Sequence, residues 1–94
     1  DRKNQPVSIE VVSIGTINSA MVHPREVFKT AILSNSNQIM LAHNHPSGIS
    51  APSNEDKAMT SRIKDAGVIL GIELIDHIII GSNEYFSFKE NKLM

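Results

Sequence analysis

The chain contains no cysteine and no tryptophan. Without thiolates there is no disulfide framework and no zinc finger built on Cys, so any metal site must use His and carboxylates. Aromatic residues are scarce: Phe28, Tyr85, Phe86 and Phe88. The core must therefore be drawn mainly from Ile, Leu, Val and Met. No charge of one sign dominates, with nine Lys and Arg against ten Asp and Glu and a formal net charge of −1. No run of like charge marks the basic patch of a nucleic-acid binder, so DNA contact by this segment is not expected. Glu73, Asp76 and His77 interrupt the longest apolar stretch, which excludes a spanning helix. A signal-peptide pattern is also missing, and the expected location is the cytoplasm.

What is present is a globular composition, 40% hydrophobic and 20% charged over 94 residues. That length allows one domain, 1–94. Such a chain buries roughly 60–65% of its unfolded surface, so the core is small. The chain opens on Asp1 rather than Met and reads as a domain trimmed from a longer protein.

Residues 7–14 are rich in β-branched side chains and predict a strand. Gly15 and Asn18 mark a turn, with a short strand expected over Ala20–Val22. Pro24 opens a helix, with Glu26 in its first turn. Val27, Ala31 and Ile32 recur at helical spacing, and Phe28 and Leu33 widen that face. Ser34–Asn37 is the helix exit. Gln38–Ala42 has the length of a buried strand and runs directly into His43. Residues 44–52 carry two Pro, one Gly and two Ser and predict a loop. Ser53 caps a second helix, with an acid three residues later. Met59, Ile63, Ala66 and Leu70 share one face of it, and Gly71 ends it. Glu73–Ile80 and Tyr85–Lys89 read as strands joined by a turn at 81–83. The order β(β)αβαββ predicts an α/β or α+β domain, one sheet with helices.

Chemistry concentrates in His43-Asn44-His45-Pro46, followed by Ser53 and Asp56. Side chains at i and i+2 of a strand point the same way, so two imidazoles can converge at the strand's C-terminal end. Ten residues separate His45 from Asp56. A turn-rich loop of that length can bring the first turn of the next helix over the same edge. Two His and one carboxylate leave the fourth tetrahedral position of Zn²⁺ open, which is the catalytic ligand count. Zinc so held lowers the pKa of water toward ~7 and polarises a carbonyl. Ser53 and Asp56 are three apart and share a helix face. The Ser53 hydroxyl can thus donate to a developing oxyanion, besides capping the helix.

His43-x-His45-Pro46…Ser53-x-x-Asp56 resembles the JAMM motif of the JAB/MPN+ zinc metalloproteases. The longer string resembles the bacterial RadC branch of that family. It runs from Gly15-Thr16-Ile17-Asn18 through Val22-His23-Pro24-Arg25-Glu26-Val27-Phe28 to His43-Asn44-His45-Pro46-Ser47-Gly48. Pro52-Ser53, Thr60, Asp76-His77-Ile78-Ile79-Ile80-Gly81 and Ser87-Phe88 complete it. The resemblance covers nearly the whole chain. It implies a JAB/MPN-like, cytidine-deaminase-like architecture, a single mixed sheet flanked by helices. It also implies Zn²⁺ on His43, His45 and Asp56, with Ser53 supporting the tetrahedral intermediate. The family requires a glutamate as general base toward the attacking water. That acid is either Glu10 or one in the segment preceding Asp1. A helix-hairpin-helix region, absent here, generally precedes such domains, and an old name links them to DNA repair.

The implied function is a zinc-dependent hydrolase of the metallopeptidase or isopeptidase type, acting on a protein or peptide. The alternative is a non-catalytic JAB-like binding module in a DNA-repair or recombination complex. A metal-dependent phosphoesterase is a weaker third reading, opposed by the missing basic patch. Three consecutive residues His-Asn-His do not make an HNH nuclease, whose ligands are spread over a ββα unit. His23 reads as part of the helix entry and His77 as a polar residue among buried Ile, and either can orient a ligand.

Overall fold

The computed structural model describes residues 6–15, 18–45 and 47–94. Thr16, Ile17 and Pro46 of the motif string lie outside the described residues. Strand β1 spans Ile9–Gly15, helix α1 Pro24–Leu33, strand β2 Gln38–Asn44, helix α2 Asn54–Leu70, strand β3 Glu73–Ile80 and strand β4 Tyr85–Ser87. The four strands form one mixed sheet in the order β1-β2-β3-β4. β1, β2 and β3 are parallel and β4 is antiparallel to β3. This is the expected α+β class and is consistent with a JAB-like fold. No helix among the described residues is long and apolar enough to cross a membrane.

Alternation decides how the sheet packs. Ile39, Leu41 and His43 of β2 are buried while their neighbours are only half-buried or exposed. Ile39 and Leu41 join one core with Val27, Phe28 and Ala31 of α1, Met59 and Ile63 of α2, and Leu74 of β3. Both helices therefore cover the same sheet face. On β1 the opposite parity carries Ile9 and Val11, both exposed.

Three local expectations are corrected. The stretch expected as a short strand at Ala20–Val22 is instead a 3-10 turn over Ser19–Met21. The Asn18 side chain accepts from the Ala20 N–H at 2.9 Å and so diverts the backbone from strand pairing. Ile32 and Leu33 of α1 are 55% and 78% exposed. Each residue turns the helix by about 100°, which carries these two off the arc that Val27, Phe28 and Ala31 bury. β4 stops at Ser87 rather than Lys89, because the Ser87 hydroxyl accepts from the Glu90 N–H and its carbonyl from the Asn91 amide, curling the chain into a turn.

α2 starts on a Ser53 cap and ends at Gly71, whose φ of 73° lies in the left-handed region that favours glycine. Met59 and Ile63 are buried, whereas Leu70 is 47% exposed. The buried face passes instead through Gly67, where the chain doubles back. The Ile72 N–H donates to the Gly67 carbonyl at 2.9 Å. A Cβ on Gly67 would collide with the Ile72 carbonyl oxygen and press on Phe28. Alanine in a helix normally gains ~1 kcal/mol over glycine. Here the backbone clash reverses the sign, and Gly67→Ala is expected to cost about 2–3 kcal/mol of stability. A urea titration checks this, and an unchanged or raised midpoint contradicts it.

Candidate metal centre

The site lies where β2 leaves the sheet and α2 begins. His43, on the helix-covered face, is 4% exposed. The chain then turns, and the His45 N–H donates to the Ile80 carbonyl of β3 at 3.2 Å. The loop that follows is strapped to the β3–β4 turn. Ser50 donates through both its N–H and its hydroxyl to one Glu84 oxygen, at 2.8 and 2.6 Å. The Ser82 N–H reaches the Gly48 carbonyl at 2.9 Å. Gly48 has φ 79°, and any Cβ there would run into the Ser82 side chain. The Ser50 hydrogen bonds hold the Glu84 carboxyl below its usual pKa. The strap places the Ile49 carbonyl 2.7 Å from His45 Nδ1.

Asp56 enters from α2. Its carboxylate closes a capping box: Ser53 N–H donates to Asp56 Oδ2 at 2.8 Å, and Asp56 N–H donates to Ser53 Oγ at 3.0 Å. The box locks the side chain toward β2, where Oδ2 meets His45 Nε2 at 2.8 Å. Oδ1 accepts from the Ser19 hydroxyl and stands 3.5 Å from His43 Nδ1. Asp56 is 1% exposed. Burial by itself would raise its pKa. The hydrogen bonds from Ser19, from Ser53 and from His45 outweigh burial and hold it at about 2. The group is a carboxylate at neutral pH.

The donor set fits a cation. One ligand atom each from His43, His45 and Asp56 lies within 4.8 Å of the others. Burial pushes the His43 pKa down, against the pull of Asp56 and with help from His45. Its Nδ1 is buried and has no hydrogen-bond partner. Leaving such an atom unpaired costs ~1–3 kcal/mol. His45 supplies a second argument by proton count. Both its nitrogens face acceptors, the Ile49 carbonyl and the Asp56 carboxylate. A neutral imidazole carries one N–H and cannot satisfy both. Either the ring holds two protons, or Nδ1–H donates to Ile49 and Nε2 faces a positive ion. A ring nitrogen tied to a backbone carbonyl while the other faces the metal is the usual way a metal-ligating His is oriented.

Of the sequence candidates, the structure brings together His43, His45, Ser53 and Asp56. It does not bring Glu10 to them. Glu10 pairs with Ile39, four residues before His43 on β2, or roughly 13 Å away along the strand. Its carboxylate accepts from the Ser34 hydroxyl at 3.1 Å, at the end of α1. The helix-side parity of Glu10 is right for the site, but its level on the strand is not. His23 is exposed at the start of α1 and makes no capping bond. His77 is fully buried beside His43.

Two contributors were missed from sequence. Ser19 is buried and bonded to Asp56, 37 positions away. A serine in a turn carries no local sign of such a partner. Thr60, present in the motif string without a role, donates to the Asp56 carbonyl at 2.7 Å. Its position four residues after Asp56 was the available signal.

A family model described as the RadC-like JAB domain matches residues 1–93. The chain belongs to the RadC-like JAB domain family. It is 58% identical over 92 residues to a UPF0758 protein of Clostridioides difficile, an alignment covering 98% of this chain and 39% of that protein. It is 54% identical over 92 residues to a UPF0758 protein of Desulfitobacterium hafniense, again 98% of this chain and 40% of the relative. A UPF0758 protein of Chlorobaculum tepidum is 50% identical over the same span, 98% of this chain and 41% of its own length. This RadC-like JAB domain thus spans about 40% of the length of the curated relatives it matches.

Proposed function

We propose that the domain is the metal-bearing part of a zinc-dependent hydrolase of the JAMM metallopeptidase or isopeptidase type, cleaving an amide bond in a protein or peptide. His43, His45 and Asp56 are its metal ligands. The observation that carries this is their convergence with one orphaned imidazole nitrogen and a second imidazole caught between two acceptors. Zinc held there supplies Lewis acidity toward a carbonyl and a lowered pKa for water. Ser53 Oγ already accepts from the Asp56 N–H, so its own proton is left to donate to an oxyanion. Ser19 orients the Asp56 carboxylate from the opposite side.

The identity of the base that takes a proton from water is a separate question, and the Ser34 contact and strand register of Glu10 speak against that residue. A non-catalytic JAB-like binding module in a DNA-repair or recombination complex is the second reading, favoured by this same displacement of Glu10. It predicts that Ser53→Ala leaves cellular function intact, whereas the hydrolase reading predicts its loss.

Metal analysis tests the ligand set. The purified chain is expected to hold close to one zinc, and His45→Ala to fall below about 0.2 per chain under the same conditions. A parent chain that stays below that level after zinc addition overturns the metal reading.

A further inference from the structure

We propose that His77 is a positioning residue of the metal group, acting as the plate against which His43 stacks and, through Thr60, as an anchor for the turn carrying Asp56. The proposal rests on the zinc reading above and extends it to two residues outside the ligand set.

His77 sits on β3 with no exposed surface. Its ring is stacked on Phe88 at 4.6 Å and 9° on one side and on His43 at 5.9 Å and 22° on the other. His45 then meets His43 edge-on at 4.9 Å. The ring column runs from the core to both imidazole ligands, so the plane of His77 sets the plane of His43.

The polar contacts define a single direction of donation. The Thr60 hydroxyl lies 2.7 Å from the Asp56 carbonyl, which can only accept, so its proton points there. The same oxygen lies 2.6 Å from His77 Nδ1 and has only lone pairs left to offer. His77 therefore carries its proton on Nδ1. That leaves Nε2 bare, buried and without a hydrogen-bond partner. A phenylalanine would fill the gap between Phe88 and His43 without leaving a polar atom unpaired. What phenylalanine lacks is the Nδ1–H that fastens Thr60, and through it the backbone of Asp56. The histidine is explained by that bond.

Four measurements on the full chain test this. Zinc affinity is read by competition with a chromophoric chelator, and site geometry by the visible absorption of the Co²⁺-loaded protein. His77→Phe and Thr60→Val are each expected to weaken zinc binding about 10- to 100-fold and to alter the Co²⁺ bands. Thr60→Ser keeps the hydroxyl and should restore both readouts. The double variant should be no weaker than the worse single one, because both changes break one chain of contacts. Thermal melting of the metal-free variants shows that folded chains are being compared. Independently of any variant, imidazole ¹⁵N shifts of the parent report the His77 tautomer. A proton on Nε2 instead of Nδ1 overturns the proposal, as do folded variants with parental zinc affinity, or fully additive losses. If the parent takes no zinc, the metal reading falls and this proposal with it. If the parent takes zinc and the variants match it, only this proposal falls.

Discussion

Asp56→Asn will lower zinc affinity by roughly 10²–10⁴-fold, about the share of one ligand in a structural zinc binding energy of ~10–16 kcal/mol. The replaced group is the hub of the site. One oxygen accepts from Ser53 and faces His45, and the other accepts from Ser19 and faces His43. An amide removes the negative charge and turns an NH₂ toward one of those donors. The metal-free chain is destabilised as well, by ~1–3 kcal/mol for the unpaired polar groups. Because the Asn carbonyl still accepts on one side, the fold should persist and the two losses can be measured separately. Chelator competition gives the first and a thermal melt the second. Parental zinc affinity in Asp56→Asn would show that the carboxylate is not a ligand.

The metal-free chain will lose stability in two steps as pH falls. His77 is the first. Burial, reinforced by the neighbouring His43 and only partly opposed by Asp56 and Asp76, pushes its pKa from 6.5 down to about 4. Between those values the unfolded chain binds a proton that the folded chain does not, so folding weakens as pH drops through that window. The loss approaches ~3 kcal/mol by pH 4, at 1.36 kcal/mol per pH unit. His43 shifts the same way, chiefly from burial, and adds to this step. Asp56 governs the second step. Its pKa falls from 3.8 to about 2, so the stability it contributes is complete above pH 3.8 and is lost as pH falls toward 2. Urea midpoints at pH 7, 5.5 and 4 measure the first step. In His77→Phe the slope between pH 6.5 and 4 should flatten. A flat profile in the parent would mean that His77 is not buried as the neutral form.

Much of the local structure was legible because its causes are local. Pro24 and Ser53 start the two helices where their backbone chemistry requires, and Gly71 ends the second in a left-handed residue. The apolar run at 38–42 became a strand whose alternation continues through His43. The errors fall where a side chain chose between two partners. Asn18 capped a 3-10 turn instead of preceding a strand, and Ser87 closed a turn instead of continuing one. The apolar Ile32, Leu33 and Leu70 show that helical spacing predicts a face but not how much of it a four-stranded sheet can cover.

The ligand set divides in the same way. The absence of cysteine left imidazole and carboxylate as the only candidates, and the i, i+2 spacing of His43 and His45 favours one side at the end of a strand. Their convergence with Asp56 needed the tertiary structure. It depends on the parallel register that sets Gly15 opposite His43, on the Ser50–Glu84 strap and on the capping box at Ser53. Glu10 shows the limit of a sequence reading most plainly. Its parity on β1 suited the site, yet parity says nothing of height along the strand, and the register placed it beside Ser34. Ser19 shows the converse, a buried donor to Asp56 with no local signature. Residue type, period and capping act over a few positions and are written in the chain. Register, tautomer and the partner of a buried carboxylate are decided by contacts between distant segments, and only the folded chain brings those together.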